Sequence, residues 1–432
     1  SFERKGDFRV KKIFCMAMVV IGAAILGTLL MMAAYMLPTE KMYAKVKADF
    51  DGHHYTEMLE MSSWTRAGKS AQLDPYTDSI MLSKAIYPSQ GIIAPSLLNP
   101  SWHRQPKELP MTCLERNVKD YGADDTPETY ARYWHGYLIV LKPLLMVARP
   151  AEIKLIIAYL EIILCILVVY SLSMRFGFRY VLAFMCTILI WNPVSLAMAF
   201  QYASVYIITL MAMLLVLKSS CETLQRRGVW IVLLTGGFAS FFDLLTYPIV
   251  TLGMPMVLYI LIMLKEGNAG VQDCCKQMLV LSCAWAFGYL GMWGCKWVMA
   301  TLLSDQNVIA NALQNAAYRM GTSTGAWEGS KAFTVKDVIY NNFRAATEGP
   351  IRWLEVLIGC CMLYWLVAHR AVLKYHAQKT VPLIMCAGIP LIWYVLVSNH
   401  SWVHTWMAYR DLGVMVFAGL CAWGYLDETA SH

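Results

Sequence analysis

Long apolar stretches without a charge constrain this chain more than any other feature. The first, IFCMAMVVIGAAILGTLLMMAAYM at residues 13–36, is long enough to cross a hydrocarbon core, which takes about 20 residues in helical form. Over the whole chain, 58% of residues are hydrophobic and 15% are charged, whereas soluble domains carry about 25% charged residues. Only helices and closed barrels satisfy the backbone in lipid, and no alternating strand pattern is present. The sequence therefore predicts an all-α integral membrane protein.

Hydropathy predicts ten membrane spans. They are 13–36, 154–174, 177–191, 197–217, 229–243, 248–264, 278–302, 351–369, 381–397 and 409–426. The first is too long for a signal peptide's apolar region and is followed by no small-residue cleavage site, so we expect a retained anchor.

Lysine and arginine residues set the expected orientation. The start of the chain, SFERKGDFRVKK, is basic, and so is every later loop that the ten-span order places in the cytoplasm. Both termini are therefore expected in the cytoplasm. The net charge of +7 is explained by this topology, and no basic stripe on a soluble domain points to nucleic acid.

Four regions are then expected on the extracytoplasmic side. They are 37–153, 241–248, 303–350 and 398–411. The unusual polar residues are concentrated in these regions, which makes them the place to look for a site.

The stretch QLDPYTDSIMLSKAIY at 72–87 predicts a helix outside the membrane. Asp74 suits the N-cap, Pro75 suits the first helical position, and Asp78 lies one turn further on the same face. The structural interpretation is a cap and a charge that complements the helix dipole. The functional one is a pair of catalytic carboxylates. In KADFDGHHYTE at 47–57, which is predicted to be mostly solvated, Asp51 is kept as a further candidate acid.

Two more candidates stand beside apolar stretches. His135 lies in YARYWHGYLIVLKPLLMV at 130–147, which predicts a helix along the outer membrane surface, and it could serve anchoring or face a site. Asp243 follows a mostly apolar stretch, where a carboxylate is costly unless it is paired or functional.

The segment SNHSWVHTWMAYRD at 398–411 gathers the most polar chemistry. His400, His404 and Asp411 recur on one face of an ideal helix, whereas Arg410 points elsewhere unless the chain breaks around 399–401. Arginine and histidine suit the binding of phosphate oxygens and the protonation of a leaving oxygen. The alternative is an interface segment in which Arg410 binds lipid headgroups.

The layout resembles the GT-C class of membrane glycosyltransferases. It shares a cytoplasmic N-terminus, one span, a long first outer loop with acidic residues, and many further spans. LDPYTDSIML, RYWHGYLIVLKPLL, FFDLLTYPIVTLG and SNHSWVHTWMAYR are similar to segments of uncharacterised bacterial membrane proteins of this kind. The class commonly places its catalytic acid soon after the first span, so Asp51, Asp74 and Asp78 all stay open for that role.

This resemblance implies transfer of a sugar from a polyprenyl-phosphate donor to a hydroxyl of an acceptor glycan or lipid, with inversion, at the outer face of a bacterial cell membrane. Asp78 is the expected base and Asp74 its support. The residues expected to hold the donor phosphate are Arg410, His404 and His400. The residues expected to line the site are His135, Asp243, Arg319 and Asp51, with Arg319 in an outer lid at 303–350.

The alternatives are a polysaccharide polymerase or ligase that uses a lipid-diphosphate donor, and a lipid or polysaccharide transporter. Transporters tend to show internal repeats, and the two halves of this chain show none. No cofactor and no metal ligand is assigned, a divalent cation is left open, and the expected partners are the lipid-linked donor, the acceptor and membrane lipids.

Overall fold

The computed structural model describes residues 2–52, 68–122, 126–267, 269–324, 331–349, 351–368 and 370–430. It is 79% helical, and the described residues contain no β-strand. The helices are α1 (Phe2–Tyr35), α2 (Thr39–Asp51), α3 (Pro75–Ile86), α4 (Ile93–Leu98), α5 (Pro110–Lys119), α6 (Leu138–Leu145), α7 (Pro150–Phe176), α8 (Phe178–Trp191), α9 (Pro193–Met198), α10 (Phe200–Lys218), α11 (Cys221–Phe242), α12 (Val250–Lys265), α13 (Val271–Leu302), α14 (Val308–Met320), α15 (Val335–Ala346), α16 (Ile351–Ala368), α17 (Arg370–Ala387), α18 (Ile389–Leu396), α19 (Ser398–Val403), α20 (Thr405–Ala408) and α21 (Leu412–Ala430). The all-α prediction is confirmed.

Five stretches are long and apolar enough to cross a membrane. They are Lys11–Tyr35, Pro150–Phe176, Phe200–Lys218, Val271–Leu302 and Gln378–Leu396. Shorter apolar helices occur at Phe178–Trp191, Val250–Lys265 and Val356–Trp365. Each of the ten predicted spans falls mostly on helix, although the fourth is divided at Ala199 and the ninth at Gly388. A membrane-embedded chain is thus supported, and the count of ten remains a prediction.

Helix α12 forms the centre of the bundle. Every residue from Val250 to Leu264 is buried, which is why its sequence is apolar on all sides and shows no polar face. It packs against α10, α11, α13, α17 and α21.

Helices α11 and α13 approach each other closely because glycines face each other across their contact. A Cβ on Gly236 would collide with the backbone of Trp285, and one on Gly288 would collide with the carbonyl oxygen of Leu233. Small residues of this kind let two helix backbones come together in membranes.

The long region between α1 and α7 folds as short helices, of which α4 and α6 pack against α1, and α2 and α6 pack against α7. The predicted helix near 72–87 is confirmed as α3, with Asp74 at the N-cap accepting a hydrogen bond from the Thr77 amide at 3.0 Å. The prediction of a helix at 130–147 is wrong for the first half of that stretch. Only Leu138–Leu145 is helical, because His135 takes a left-handed backbone conformation with φ 55°.

Candidate functional site

The segment 398–411 is a broken helix packed inside the protein. Helix α19 ends where His404 leaves helical geometry (φ −106°, ψ 41°), α20 follows, and a 3₁₀ turn covers Tyr409–Asp411. The break falls at His404 and not at 399–401. His400, His404 and Asp411 therefore do not share one continuous helical face.

His400 and His404 lie beside the guanidinium of Arg319, which α14 supplies. The two imidazole rings are 4.7 Å apart between centroids, and Nη1 of Arg319 lies 3.1 Å from Nε2 of His404. Burial, and then the positive charge of Arg319, lower the pKa of His404 to about 3. Burial, His404 and Arg319 lower the pKa of His400 well below its usual value. Both imidazoles are thus neutral at neutral pH, and Arg319 carries the positive charge of this group.

Arg410 is fully buried, and most of its hydrogen-bond donors bind groups of the protein itself. Its Nε donates to the carbonyl oxygen of Trp191 at 2.9 Å and its Nη1 to that of Trp406 at 2.8 Å. Its guanidinium carbon lies 4.2 Å from the ring centroid of Tyr202. Of the three guanidinium nitrogens of Arg410, only Nη2 lacks a hydrogen-bond partner within the described part of the chain. Arg410 is therefore a structural anchor of the segment with one donor group to spare.

Asp74 connects helix α3 to the broken segment. Its carboxylate caps α3 through Thr77 and also accepts from the side-chain amide of Gln201 and from Nε1 of Trp406, the latter at 3.3 Å. The ring of Trp406 lies 5.1 Å from that of His404, so it stands between the acid and the histidines. Burial raises the pKa of Asp74 to about 6, which the hydrogen bond from Thr77 opposes.

Asp78 forms a buried ion pair. Its Oδ2 accepts from Nζ of Lys154 at 2.6 Å, and its Oδ1 accepts from the backbone amide of Phe200 at 2.9 Å. The Asp78 side chain is 4% exposed and that of Lys154 9%. Burial raises the pKa of Asp78 and Lys154 opposes this. The acid thereby ties α3 to the first turns of α7 and α10.

Asp243 and His135 are both buried. Asp243 accepts from the amide and the hydroxyl of Thr246, and His400 lies next to the backbone of Leu245 and Thr246. The ring nitrogens of His135 lie 3.0 Å from the Tyr137 hydroxyl and from the Tyr130 carbonyl oxygen. Asp243 thus borders the histidine group, whereas His135 is held by its own loop.

Asp51 is exposed at the end of α2. The buried acid of that helix is Asp49, which accepts from the amide of Ala151 at 2.8 Å. The neighbouring residues 53–57, which the prediction included, lie outside the described ranges.

Sequence reasoning missed three side chains that hold the acids in place: Lys154, Gln201 and Trp406. In the sequence, Lys154 and Gln201 fall inside predicted spans and were given no role. Lys154 lies 76 residues from Asp78 along the chain, and Gln201 lies 127 residues from Asp74. A lysine placed inside the first turns of an apolar helix is the one signal that could have indicated a buried pair.

Buried polar atoms without a partner are concentrated in this region. Within the described residues, the atoms that make no hydrogen bond include Oδ1 of Asn399, both ring nitrogens of His400, Oγ of Ser401, Nδ1 of His404, Nη2 of Arg410 and both carboxylate oxygens of Asp411. Buried polar groups are normally hydrogen-bonded to protein, water or a ligand. The segment therefore has hydrogen-bonding groups that water or a polar ligand could bind.

An apolar groove of about 1110 Å³ ends next to the acids. It runs between α1, α3, α6, α7, α10 and α11, from Arg227 to Phe200. Met81, three residues after Asp78, lines it, as does Phe200, whose amide binds Asp78. Several lining side chains are exposed, among them Leu160 at 42% and Met211 at 53%, so the groove is open on the outer surface of the bundle.

The described residues contain no group of three His, Cys, Asp or Glu side chains placed to hold a metal ion. In comparisons with known proteins, no family model, no curated protein and no solved structure matches this chain.

Proposed function

We propose that this protein transfers a sugar from a polyprenyl-phosphate donor to an acceptor hydroxyl on the extracytoplasmic side of the membrane. The observation that carries the proposal is the convergence of a buried, incompletely hydrogen-bonded polar segment, two acids and an open apolar groove. A donor with a long apolar chain and a charged phosphate needs those features side by side.

The groove suits the isoprenoid chain. Its walls are almost entirely apolar, and its exposed rim lets a chain enter sideways from lipid. Because it ends at Met81 and Phe200, a chain lying in it would bring its phosphate to the level of Asp78 and Asp74.

The phosphate would be held by Arg319 and His404, with the spare Nη2 of Arg410 as a further donor. A guanidinium binds phosphate oxygens through charge-assisted hydrogen bonds, and a neutral imidazole can donate one more. These donors would also stabilise the negative charge that develops on the phosphate as it leaves.

Asp74 suits the base better than Asp78. Its partners are a hydroxyl, an amide, an indole and a backbone amide, all neutral, and its pKa of about 6 leaves it ionised at neutral pH. Asp78 is instead neutralised by Lys154, which suits a positioning role. In the reaction, the acceptor oxygen attacks the anomeric carbon, its proton passes to Asp74, and the bond to the phosphate oxygen breaks with inversion.

Purified protein in lipid nanodiscs, supplied with a labelled polyprenyl-phosphate sugar and an acceptor glycan, tests the proposal. We expect Asp74→Asn to lower kcat by about 10² to 10⁴ and Arg319→Ala to raise the KM for the donor. The exposed Asp120 lies in the same outer region, so Asp120→Asn serves as the matched control and should keep the parent rate.

Three results would count against parts of this proposal. Full transfer by Asp74→Asn together with loss in a folded Asp78→Asn would return the base role to Asp78. A preference for lipid-diphosphate donors would favour a polymerase or ligase. Absence of transfer from every lipid-linked donor would remove the glycosyltransferase proposal.

A further inference from the structure

The helices that hold Asp74 and Asp78 also form the end of the apolar groove. We call these two acids and their partners Lys154 and Gln201 the acid network. Three residues line the groove at this end, one from each of α3, α7 and α10: Met81, Ile153 and Phe200. Each lies one to three positions along its helix from a member of the acid network. The groove wall and the acid network therefore share their backbone at three points.

Phe200 contacts the groove and the acid network at once. It lines the groove, and its backbone amide donates to Oδ1 of Asp78 at 2.9 Å. Its ring centroid lies 4.8 Å from Nζ of Lys154, and that ammonium donates to Oδ2 of Asp78 at 2.6 Å. A cation within about 6 Å of a ring centroid is attracted to the ring. Phe200, Asp78 and Lys154 thus form a closed set of three contacts.

The first turn of α10 is held by the acids of α3. Its N-cap residue, Ala199, makes no side-chain cap. The first amides of a helix lack partners within it, and negative charge is favourable beside them, so Asp78 supplies the missing cap from another helix. The next residue, Gln201, binds Asp74 through its side-chain amide. A shift of this turn would therefore displace both acids.

We propose that Phe200 is a positioning residue, which couples occupation of the groove by the donor's isoprenoid chain to the placement of Asp74 and Asp78. The inference rests on the proposed function, and it makes the chain a requirement for fast transfer as well as for binding. A chain packed on Phe200 would hold the first turn of α10 and keep the ring against Lys154. Binding energy from a remote part of a substrate is then used at the reacting centre, where it raises kcat.

Two donors with the same sugar phosphate test this inference, one with a polyprenyl chain and one with a methyl group in its place. We expect kcat at saturating donor to be about tenfold or more higher with the polyprenyl chain, which corresponds to roughly 1.4 kcal/mol in the barrier. A chain that served binding alone would change KM and leave kcat the same.

The variant Phe200→Leu keeps the backbone amide and an apolar side chain but removes the aromatic ring from Lys154. It should slow transfer from the polyprenyl donor and bring the ratio of the two kcat values close to one. Phe238→Leu is the matched control and should keep the parent ratio. Phe238 lines the same groove from α11, and its ring pairs with that of Phe242 at 6.3 Å. A parent-like ratio in Phe200→Leu would overturn the role of this residue.

Hydrogen exchange in nanodiscs gives a readout that does not depend on transfer. The peptide that contains Phe200 and Gln201 should exchange more slowly when polyprenyl phosphate is added, and inorganic phosphate should have no such effect. Unchanged exchange with polyprenyl phosphate overturns the inference, and this measurement decides the matter if Phe200→Leu fails to fold. Equal kcat for the two donors in the parent protein also overturns the inference but leaves the proposed function standing. Absence of transfer from both donors overturns both.

Discussion

At the scale of single residues, Trp406 connects the acid Asp74 to the histidine group. Its indole donates to the Asp74 carboxylate at 3.3 Å and its ring lies 5.1 Å from that of His404. The donated hydrogen bond stabilises the ionised carboxylate and so lowers the pKa of Asp74 against the effect of burial. The tryptophan therefore tunes the acid as well as separating it from the imidazoles.

The first prediction concerns the pH dependence of transfer. A base must be ionised, so kcat/KM should fall as pH drops through about 6, the pKa of Asp74. The variant Trp406→Phe removes a donor to the carboxylate, raises this pKa and should move the acidic limb upward by as much as about one pH unit. The limb is read from kcat/KM measured across the acidic range. Trp402→Phe is the matched control in the same segment, because Trp402 stacks on Phe333 instead. An unchanged limb in Trp406→Phe would contradict the tuning role.

The second prediction concerns the Asp78–Lys154 pair. Removing either partner leaves an uncompensated buried charge, so Asp78→Asn and Lys154→Met should each lower the free energy of unfolding in detergent by about 3–5 kcal/mol. The double variant should lose less than the sum of the single losses, because it buries no lone charge. Additive losses in this double-mutant cycle would show that the two groups do not interact.

At the scale of elements, the close contact of α11 and α13 depends on glycines. Gly288 presses against the backbone of α11 at Leu233 and Gly237, whereas a Cβ added to Gly294 on the same helix would meet no atom within 4 Å. The two helices carry Asp243 at the end of α11 and the aromatic residues Tyr289 and Trp293 on α13. Their spacing therefore sets the position of Asp243 relative to α13.

The third prediction follows from that contact. Gly288→Val should force α11 and α13 apart and lower the melting temperature in detergent, at a cost of about 1–3 kcal/mol or more. Gly294→Ala should be neutral or slightly stabilising, since it adds helix propensity without a collision. Equal melting temperatures for the two variants would show that Gly288 does not pack closely against the backbone of α11.

At the scale of the whole molecule, local patterns predicted the elements and missed the contacts between them. The cap at Asp74 and the helices under the apolar stretches follow from neighbouring residues, and those were predictable. The pairing of Asp78 with Lys154 and the insertion of Trp406 between Asp74 and His404 join residues far apart in the chain, which no periodicity reveals. The sequence suggested a break around 399–401 only as a condition for including Arg410, and the break lies at His404, because the local sequence does not show where packing overrides helix geometry.

The fourth prediction concerns sidedness. The distribution of lysine and arginine predicts that the region around Asp120 lies outside the cytoplasm. It predicts that the start of α13, which contains Lys276, lies on the cytoplasmic side. Asp120→Cys should gain labelling by a membrane-impermeant maleimide on intact cells above the level of the parent protein, and Lys276→Cys should gain it only after permeabilisation. Both positions are exposed enough to react. The reverse pattern would put the site in the cytoplasm.

The central claim is that one site joins the groove, the acids and the Arg319–His404 pair around a lipid phosphate. A cryo-EM map of the protein in nanodiscs with bound polyprenyl phosphate measures this most directly. We expect the phosphate within hydrogen-bonding distance of Arg319 and His404, with the isoprenoid chain in the groove that ends at Met81 and Phe200. A phosphate bound at the opposite end of the groove near Arg227, or a chain on another face of the bundle, would contradict this claim.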